Sequence, residues 1–232
     1  MEEGVLDESL AAALSAGSDA CGRLLTPVTS QAFALPVLSP GYAASVAQEL
    51  RTNKPSHSRS RLELTSAHYP MASRAVGMLQ SSVLPVLAAQ LEPAGRAICP
   101  TCRAYALRYA SAGLPDGGRT ARVHVDDCDV TLAVCLGAAD TEWSGADLCY
   151  IDAPADGRPR ASTPDPTDPT VGVARHVHSC GVGVLHGGEA YHYVEPLLSG
   201  ERFTLVVQAM WDDGATWKRD FLGMRDANIG IL

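Results

Sequence analysis

Downstream of residue 97 the chain alternates short apolar runs with clusters of Gly, Pro and Asp. The runs include YALRYA, RVHV, VTLAVCLG, ADLCYID, GVGVLH, YHYVEP and RFTLVVQAMW. Each is short, rich in β-branched or aromatic residues, and bounded by turn formers, so each predicts a β-strand. Their regular spacing predicts a sandwich or barrel rather than alternating βα units. The stretch APADGRPRASTPDPTDPTVGVA interrupts the series, and its Pro, Asp and Thr content predicts a mobile insertion over residues 153–174.

Upstream the pattern turns helical. Ser39-Pro40 precedes GYAASVAQELRT, which predicts a helix start, because the first helical N–H has no partner and proline loses nothing there. MASRAVGMLQSSVLPVLAAQLE predicts a second helix, kinked or ended near Pro85. AFALPVL reads as a short strand and NKPSHSRSRLE as a polar loop. Residues 1–30 are acidic and weakly periodic, a partly ordered extension with one helix at ESLAAALSAG. The expected division is therefore 1–30 extension, 31–98 helical part, 99–213 β core and 214–232 tail.

Composition narrows the function classes. The chain has 232 residues, within reach of one domain, with 46% hydrophobic and 19% charged residues. A net charge of −8 disfavours a nucleic-acid partner, since phosphate binding needs a basic surface. No segment spans a bilayer: SSVLPVLAAQL is too short and is broken by Pro85. The N-terminus begins acidic, unlike a secretory signal, and is not Arg-rich like a transit peptide. The 7 cysteines are odd in number and sit in apolar runs, which predicts free thiols in a reducing compartment. The expectation is an intracellular, cytoplasmic protein.

Candidate chemistry gathers at histidines. His124 and Asp126 are two apart, so extended backbone points both to one face, half of a metal site. A later histidine would complete two imidazoles and one carboxylate, which leave three positions open on an octahedral ion, as in non-haem Fe(II) oxygenases. His186 and His192 both qualify, and His176 and His178 also alternate on one face. Arg202 opens a strand after LLSG, and its planar fork suits a carboxylate. A hairpin-like turn at LLSG would set it beside the strand carrying YHYVE. Cys99-Pro100-Thr101-Cys102 has no second pair for zinc and reads as two ordinary thiols. Trp143, Trp211 and Trp217 read as packing residues.

HVDDCDVTLAVCLG, WSGADLCYI and GVGVLHGGEAYHYVEPLLSGERFTLVVQAMW together resemble the 2-oxoglutarate- and Fe(II)-dependent oxygenases of the prolyl and lysyl hydroxylase-like superfamily. The nearest likeness is to the eukaryotic "2-oxoglutarate and iron-dependent oxygenase domain-containing" branch, and it covers roughly residues 100 to 211. The resemblance implies a mostly β fold: a double-stranded β-helix, or jelly-roll, core with N-terminal flanking α-helices. It implies His124, Asp126 and His192 as metal ligands, because the family's distal histidine stands ten residues before an arginine, with Gly two before that arginine. Here Gly200 and Arg202 fit His192, and His186 becomes part of the glycine turn that delivers it. Arg202 matches the residue that holds the far carboxylate of 2-oxoglutarate, with Thr204 and Tyr109 as further co-substrate contacts.

The implied activity is a dioxygenase that hydroxylates a C–H bond of a protein side chain or small molecule, with succinate and CO₂ as co-products. Its cofactors are Fe(II) and 2-oxoglutarate, with ascorbate added by the likeness to prolyl hydroxylases. The rival class is a non-catalytic jelly-roll that binds a metal or a partner without turnover. Two departures stand out. Where the family often has Phe-x-Gly-Gly-x-Leu, this chain has Trp143-Ser144-Gly145-Ala146-Asp147-Leu148, so the second glycine is gone. Residues 1–95 match only in general character, so the substrate does not carry over.

Overall fold

The computed structural model describes residues 4–53, 60–91, 95–99, 103–112, 118–137, 142–152 and 163–212. His57, Cys102, Trp217, residues 153–162 of the expected insertion and the tail from residue 213 lie outside these.

The N-terminal third is helical. Helix α1 (Glu8–Ala16) starts at Asp7, whose side chain accepts the Ser9 N–H at 2.9 Å. Helix α2 (Ser18–Gly22) and strands β1 (Thr26–Pro27) and β2 (Ala32–Pro36) follow. Helix α3 (Pro40–Asn53) is capped by Ser39, whose Oγ accepts the Tyr42 N–H at 3.3 Å. It buries Ala43, Val46, Ala47 and Leu50, one stripe at helical spacing. After β3 (Arg61–Glu63), helix α4 (Pro70–Met78) passes through a π-type turn, Leu79–Val83, into α5 (Leu84–Ala88). Pro85 has no N–H to continue the i→i−4 ladder, and the Leu84 N–H reaches back five residues to the Leu79 carbonyl. The expected kink near Pro85 is therefore a shift of the ladder.

The β part runs β4 (Arg103–Ala110), β5 (Ala121–His124), β6 (Val130–Leu136), β7 (Trp143–Gly145), β8 (Leu148–Ile151), β9 (Val173–His176), β10 (Val182–Gly187), β11 (His192–Val194) and β12 (Leu197–Ala209). All pairings are antiparallel. The large sheet has the order β1-β2-β10-β6-β12-β4-β3, with β7 also on β12; the small sheet has the order β5-β11-β8-β9.

Period-two alternation gives the large sheet two different faces. Leu132, Val134 and Leu136 of β6 and Phe203, Leu205 and Val207 of β12 pack on one face with Leu10, Val46, Leu50, Leu79 and Leu87 of the helices. Each fully buried leucine contributes on the order of 1.5–3 kcal/mol. This shared core holds the N-terminal segment down, and Leu10 and Cys21 are completely buried. The opposite face carries Thr131, Arg202, Thr204 and Gln208 and lines a cavity that the small sheet closes from the other side. A second apolar cluster joins the sheets there: Tyr109, Cys135 and Val184 meet Leu148, Tyr150 and Val194.

One expectation fails. LLSG is no hairpin turn, and β12 does not lie beside β11. Residues Leu197–Ala209 are one strand of the large sheet, whereas β11 belongs to the small one. Gly200 has a φ of +77°, but it answers a close approach: a Cβ there would stand 2.0 Å from the Glu142 carbonyl oxygen, on the β7 side. The chain crosses between sheets just before β12, so Arg202 faces the cavity from the wall opposite His192. Among the described residues no helix is long and apolar enough to cross a membrane.

Candidate active site

His124 ends β5, His192 begins β11, and the two are directly paired in the small sheet. Their rings stand 4.2 Å apart, centroid to centroid. Asp126 lies two residues past the end of β5, held by backbone. Its N–H donates to the Gly188 carbonyl at 2.8 Å, and the Gly188 N–H donates to the Asp129 carbonyl at 2.9 Å. The approach is so close that a Cβ on Gly188 would lie 1.6 Å from the Cys128 oxygen. The side chain is held as well: Thr131 donates its hydroxyl to Asp126 Oδ2 at 2.5 Å.

Nε2 of His124 lies 3.7 Å, and Nε2 of His192 3.9 Å, from Asp126 Oδ1. The donor atoms of His124, Asp126 and His192 all fall within 4.8 Å of one another. Two ligands each about 2.1 Å from one ion are at most about 4.2 Å apart, so both imidazole–carboxylate distances suit a shared cation. The tautomers suit it too. Nδ1 of His124 meets the Arg122 carbonyl at 2.7 Å, and Nδ1 of His192 meets the Ala190 carbonyl at 2.9 Å. A carbonyl only accepts, so Nδ1 carries the hydrogen and Nε2 presents a lone pair.

Burial works against the Asp126 charge, yet the imidazoles of His192 and His186, the Thr131 bond and His124 outweigh it and lower its pKa. Burial pulls His192 far below the ordinary imidazole value. Ionised carboxylate with neutral imidazole is the ligand state a divalent cation needs.

His186 is not part of the glycine turn. It sits inside β10, paired with Thr131, and its Nε2 lies 3.7 Å from the other carboxylate oxygen, Asp126 Oδ2. Gly187 and Gly188 make the turn after it. Thr131 and Gly188 are the contributors that motif reading overlooked. Their signals were the inward position of Thr131 in VTLAVCLG and the paired glycines of HGGE.

On the large sheet, Arg202 is 2% exposed, and Tyr109 is its cross-strand partner in β4. The guanidinium carbon stands 4.5 Å from the Tyr109 ring centre, and Nη1 donates to the Ala146 carbonyl. Among the described residues no carboxylate pairs with Arg202, and its Nε has no partner. Thr204, two residues on, is buried with its Oγ1 unpartnered. Arg202, Tyr109, Thr204, His124, Asp126 and His192 all line one cavity of about 520 Å³.

No protein-family model matches the chain. A curated relative does: "2-oxoglutarate and iron-dependent oxygenase domain-containing protein 2" of Xenopus tropicalis, 25% identical over 186 residues. The match covers 75% of this chain and 48% of that protein, so the chain spans about half its relative's length. Among solved structures, a prolyl-4-hydroxylase from Pseudomonas putida superposes with a TM-score of 0.54 at 15% identity, covering 85% of this chain and 98% of that one. A prolyl hydroxylase from Trichoplax adhaerens, solved with a peptide fragment of the hypoxia inducible factor oxygen degradation domain, gives 0.54 at 14% identity, covering 88% and 93%. At those identities the structural likeness is one of fold; the named relative and the His-x-Asp and distal His geometry point the same way. The chain is similar to the 2-oxoglutarate- and Fe(II)-dependent oxygenases.

Iron and 2-oxoglutarate are the groups named for that relative, and the residues of this chain fit both. Two imidazoles and a carboxylate suit Fe(II). A guanidinium buried in the same cavity, with no carboxylate beside it among the described residues, suits a dicarboxylate, because a buried charge is costly until an anion meets it. The missing second glycine of the oxygenase motif is accounted for. Ala146 keeps the glycine backbone, with a φ of +58°, and its carbonyl is the one Arg202 holds. The described cysteines, Cys99 included, are free thiols.

Proposed function

We propose that this chain is a dioxygenase that hydroxylates a C–H bond with Fe(II) and 2-oxoglutarate, releasing succinate and CO₂. The observation that carries the reading is the meeting, in one cavity, of the His124–Asp126–His192 donor set with the buried guanidinium of Arg202, which pairs with no carboxylate among the described residues. His124, Asp126 and His192 hold the metal. Arg202 receives the far carboxylate of 2-oxoglutarate, with Thr204 and Tyr109 beside it. Bound together, Fe(II) and 2-oxoglutarate supply O₂ activation coupled to decarboxylation. The chain's own work is to keep three ligands on one face of the ion, hold the co-substrate in one orientation and exclude water.

On this proposal the core is a double-stranded β-helix, a reading supported by the two antiparallel sheets that contain the orders β10-β6-β12-β4 and β5-β11-β8-β9 and that share an apolar cluster. The substrate is a protein side chain or a small molecule, and the peptide held by the Trichoplax prolyl hydroxylase favours the first. Ascorbate serves as the auxiliary reductant. The direct test is succinate formation from 2-oxoglutarate by the Fe(II)-loaded chain. Metal binding with no succinate, even uncoupled from substrate, overturns the enzyme reading in favour of a non-catalytic binding module.

A further inference from the structure

Three buried polar atoms that line the cavity have no hydrogen-bond partner among the described residues: Nε of Arg202, Oγ1 of Thr204 and Nε2 of His178. Buried donors and acceptors are almost always satisfied in a folded protein, so three orphans lining one cavity point to a ligand that satisfies them together. Arg202 and Thr204 already belong to the co-substrate side. His178 lies outside any strand, in the connection between β9 and β10, and is 7% exposed. This connection is tied to the edge of β6, where the Gly181 N–H donates to the carbonyl of Cys135, the cross-strand partner of Thr204, and His178 lines the same cavity.

We infer that His178 is a third binding residue for the far carboxylate of 2-oxoglutarate, donating from Nε2–H while Arg202 and Thr204 donate beside it. The inference rests on the reading of the cavity as a 2-oxoglutarate site. A neutral imidazole is the form required, and three causes keep it neutral. Burial comes first, and the neighbouring Arg202 guanidinium adds to it, with His176 as a lesser contributor. A second cation beside Arg202 would be repelled, whereas a neutral N–H donor shares the same anion without that cost. His176 touches His178 edge to face at 5.4 Å between ring centres and buttresses it.

The test compares two ligands that share the 2-oxo acid head and differ only at the far end. 2-Oxoglutarate ends in a carboxylate; 2-oxopentanoate ends in a methyl group. Their affinities for the anaerobic, Fe(II)-loaded full chain are measured by calorimetry. Losing a hydrogen bond to a charged group predicts that His178→Ala binds 2-oxoglutarate about ten- to a hundredfold more weakly. Binding of 2-oxopentanoate stays within about twofold, since that ligand never meets His178. His178→Gln, which keeps an N–H donor, recovers most of the loss and serves also if the alanine variant fails to fold. Unchanged 2-oxoglutarate affinity in His178→Ala overturns the inference, and so does an equal loss of both ligands in the two variants, which would mark a packing role. A wild-type chain that takes up Fe(II) but binds neither ligand sinks the underlying site reading instead.

Discussion

Thr131 hands its hydroxyl hydrogen to Asp126 Oδ2, leaving Oδ1 to face the imidazoles of His124 and His192. On the proposed metal site the two carboxylate oxygens are thereby divided between support and ligation, as in metal sites whose outer partners orient the ligands. Replacing Thr131 with valine keeps the shape and removes the donor. Fe(II) affinity should fall about 10–100-fold, with turnover recovered at high Fe(II). Metal titration of Thr131→Val checks this; unchanged affinity would leave the hydroxyl without a role.

His192→Ala and His186→Ala should part company. Without His192 the donor set has one imidazole, and succinate formation should be abolished at any Fe(II) concentration. Without His186, which faces only the supported oxygen, the set is intact and excess Fe(II) should restore turnover. Succinate yield against Fe(II) concentration separates the two.

Arg202→Ala should have opposite effects on binding and folding. Truncating one partner of a buried charge pair costs about 2–5 kcal/mol, so 2-oxoglutarate binding should weaken by well over tenfold. Without co-substrate the chain loses a buried cation that no carboxylate among the described residues balances, so its unfolding midpoint should hold or rise. Thermal scans with and without 2-oxoglutarate read both effects: co-substrate should raise the wild-type midpoint and not the variant's.

Ala146→Gly should stabilise the protein. The φ of +58° at Ala146 lies in the left-handed region, which costs a non-glycine residue about 1–2 kcal/mol. Glycine relieves this and gives back about 0.4–1 kcal/mol in unfolded-state entropy. The net gain, of order 0.5–1 kcal/mol, should appear as a rise of about 1–4 °C in Tm. Gly188→Ala should do the reverse and more, since its Cβ collides with backbone at 1.6 Å. Such overlap has no soft side chain to yield, and loss of the fold or of metal is expected.

Stability should fall as acid is added below about pH 6.5. His178 has a folded-state pKa well below its ordinary value of 6.5, chiefly through burial. Between the two values the unfolded chain binds a proton that the folded chain refuses, so stability rises with pH there and drops as pH falls. The slope approaches about 1.4 kcal/mol per pH unit for one such group. Urea midpoints at steps from pH 7.5 to 5.5, in wild type and His178→Gln, should show the shallower slope in the variant.

The period-two runs and the Ser39-Pro40 start made most strands and α3 legible, because alternation and capping are local. β7 and β9 were not legible: each is three or four residues long and is held by its neighbours rather than by its own pattern. The spacing of His124, Asp126, His192 and Arg202 named the candidate residues, since a motif preserves what the chemistry needs in order. The supports could not be read that way. Thr131 reaches Asp126 only because residues 127–129 fold back, and Gly188 meets Cys128 from sixty residues downstream. His186 and His192 look equivalent in one dimension. The third dimension separates them by sheet, one paired with His124 in the small sheet and the other with Thr131 in the large. Side-chain identity and spacing set which atoms are available to a metal. Which oxygen each atom faces, and what a buried guanidinium lacks, depend on strands brought together across the core.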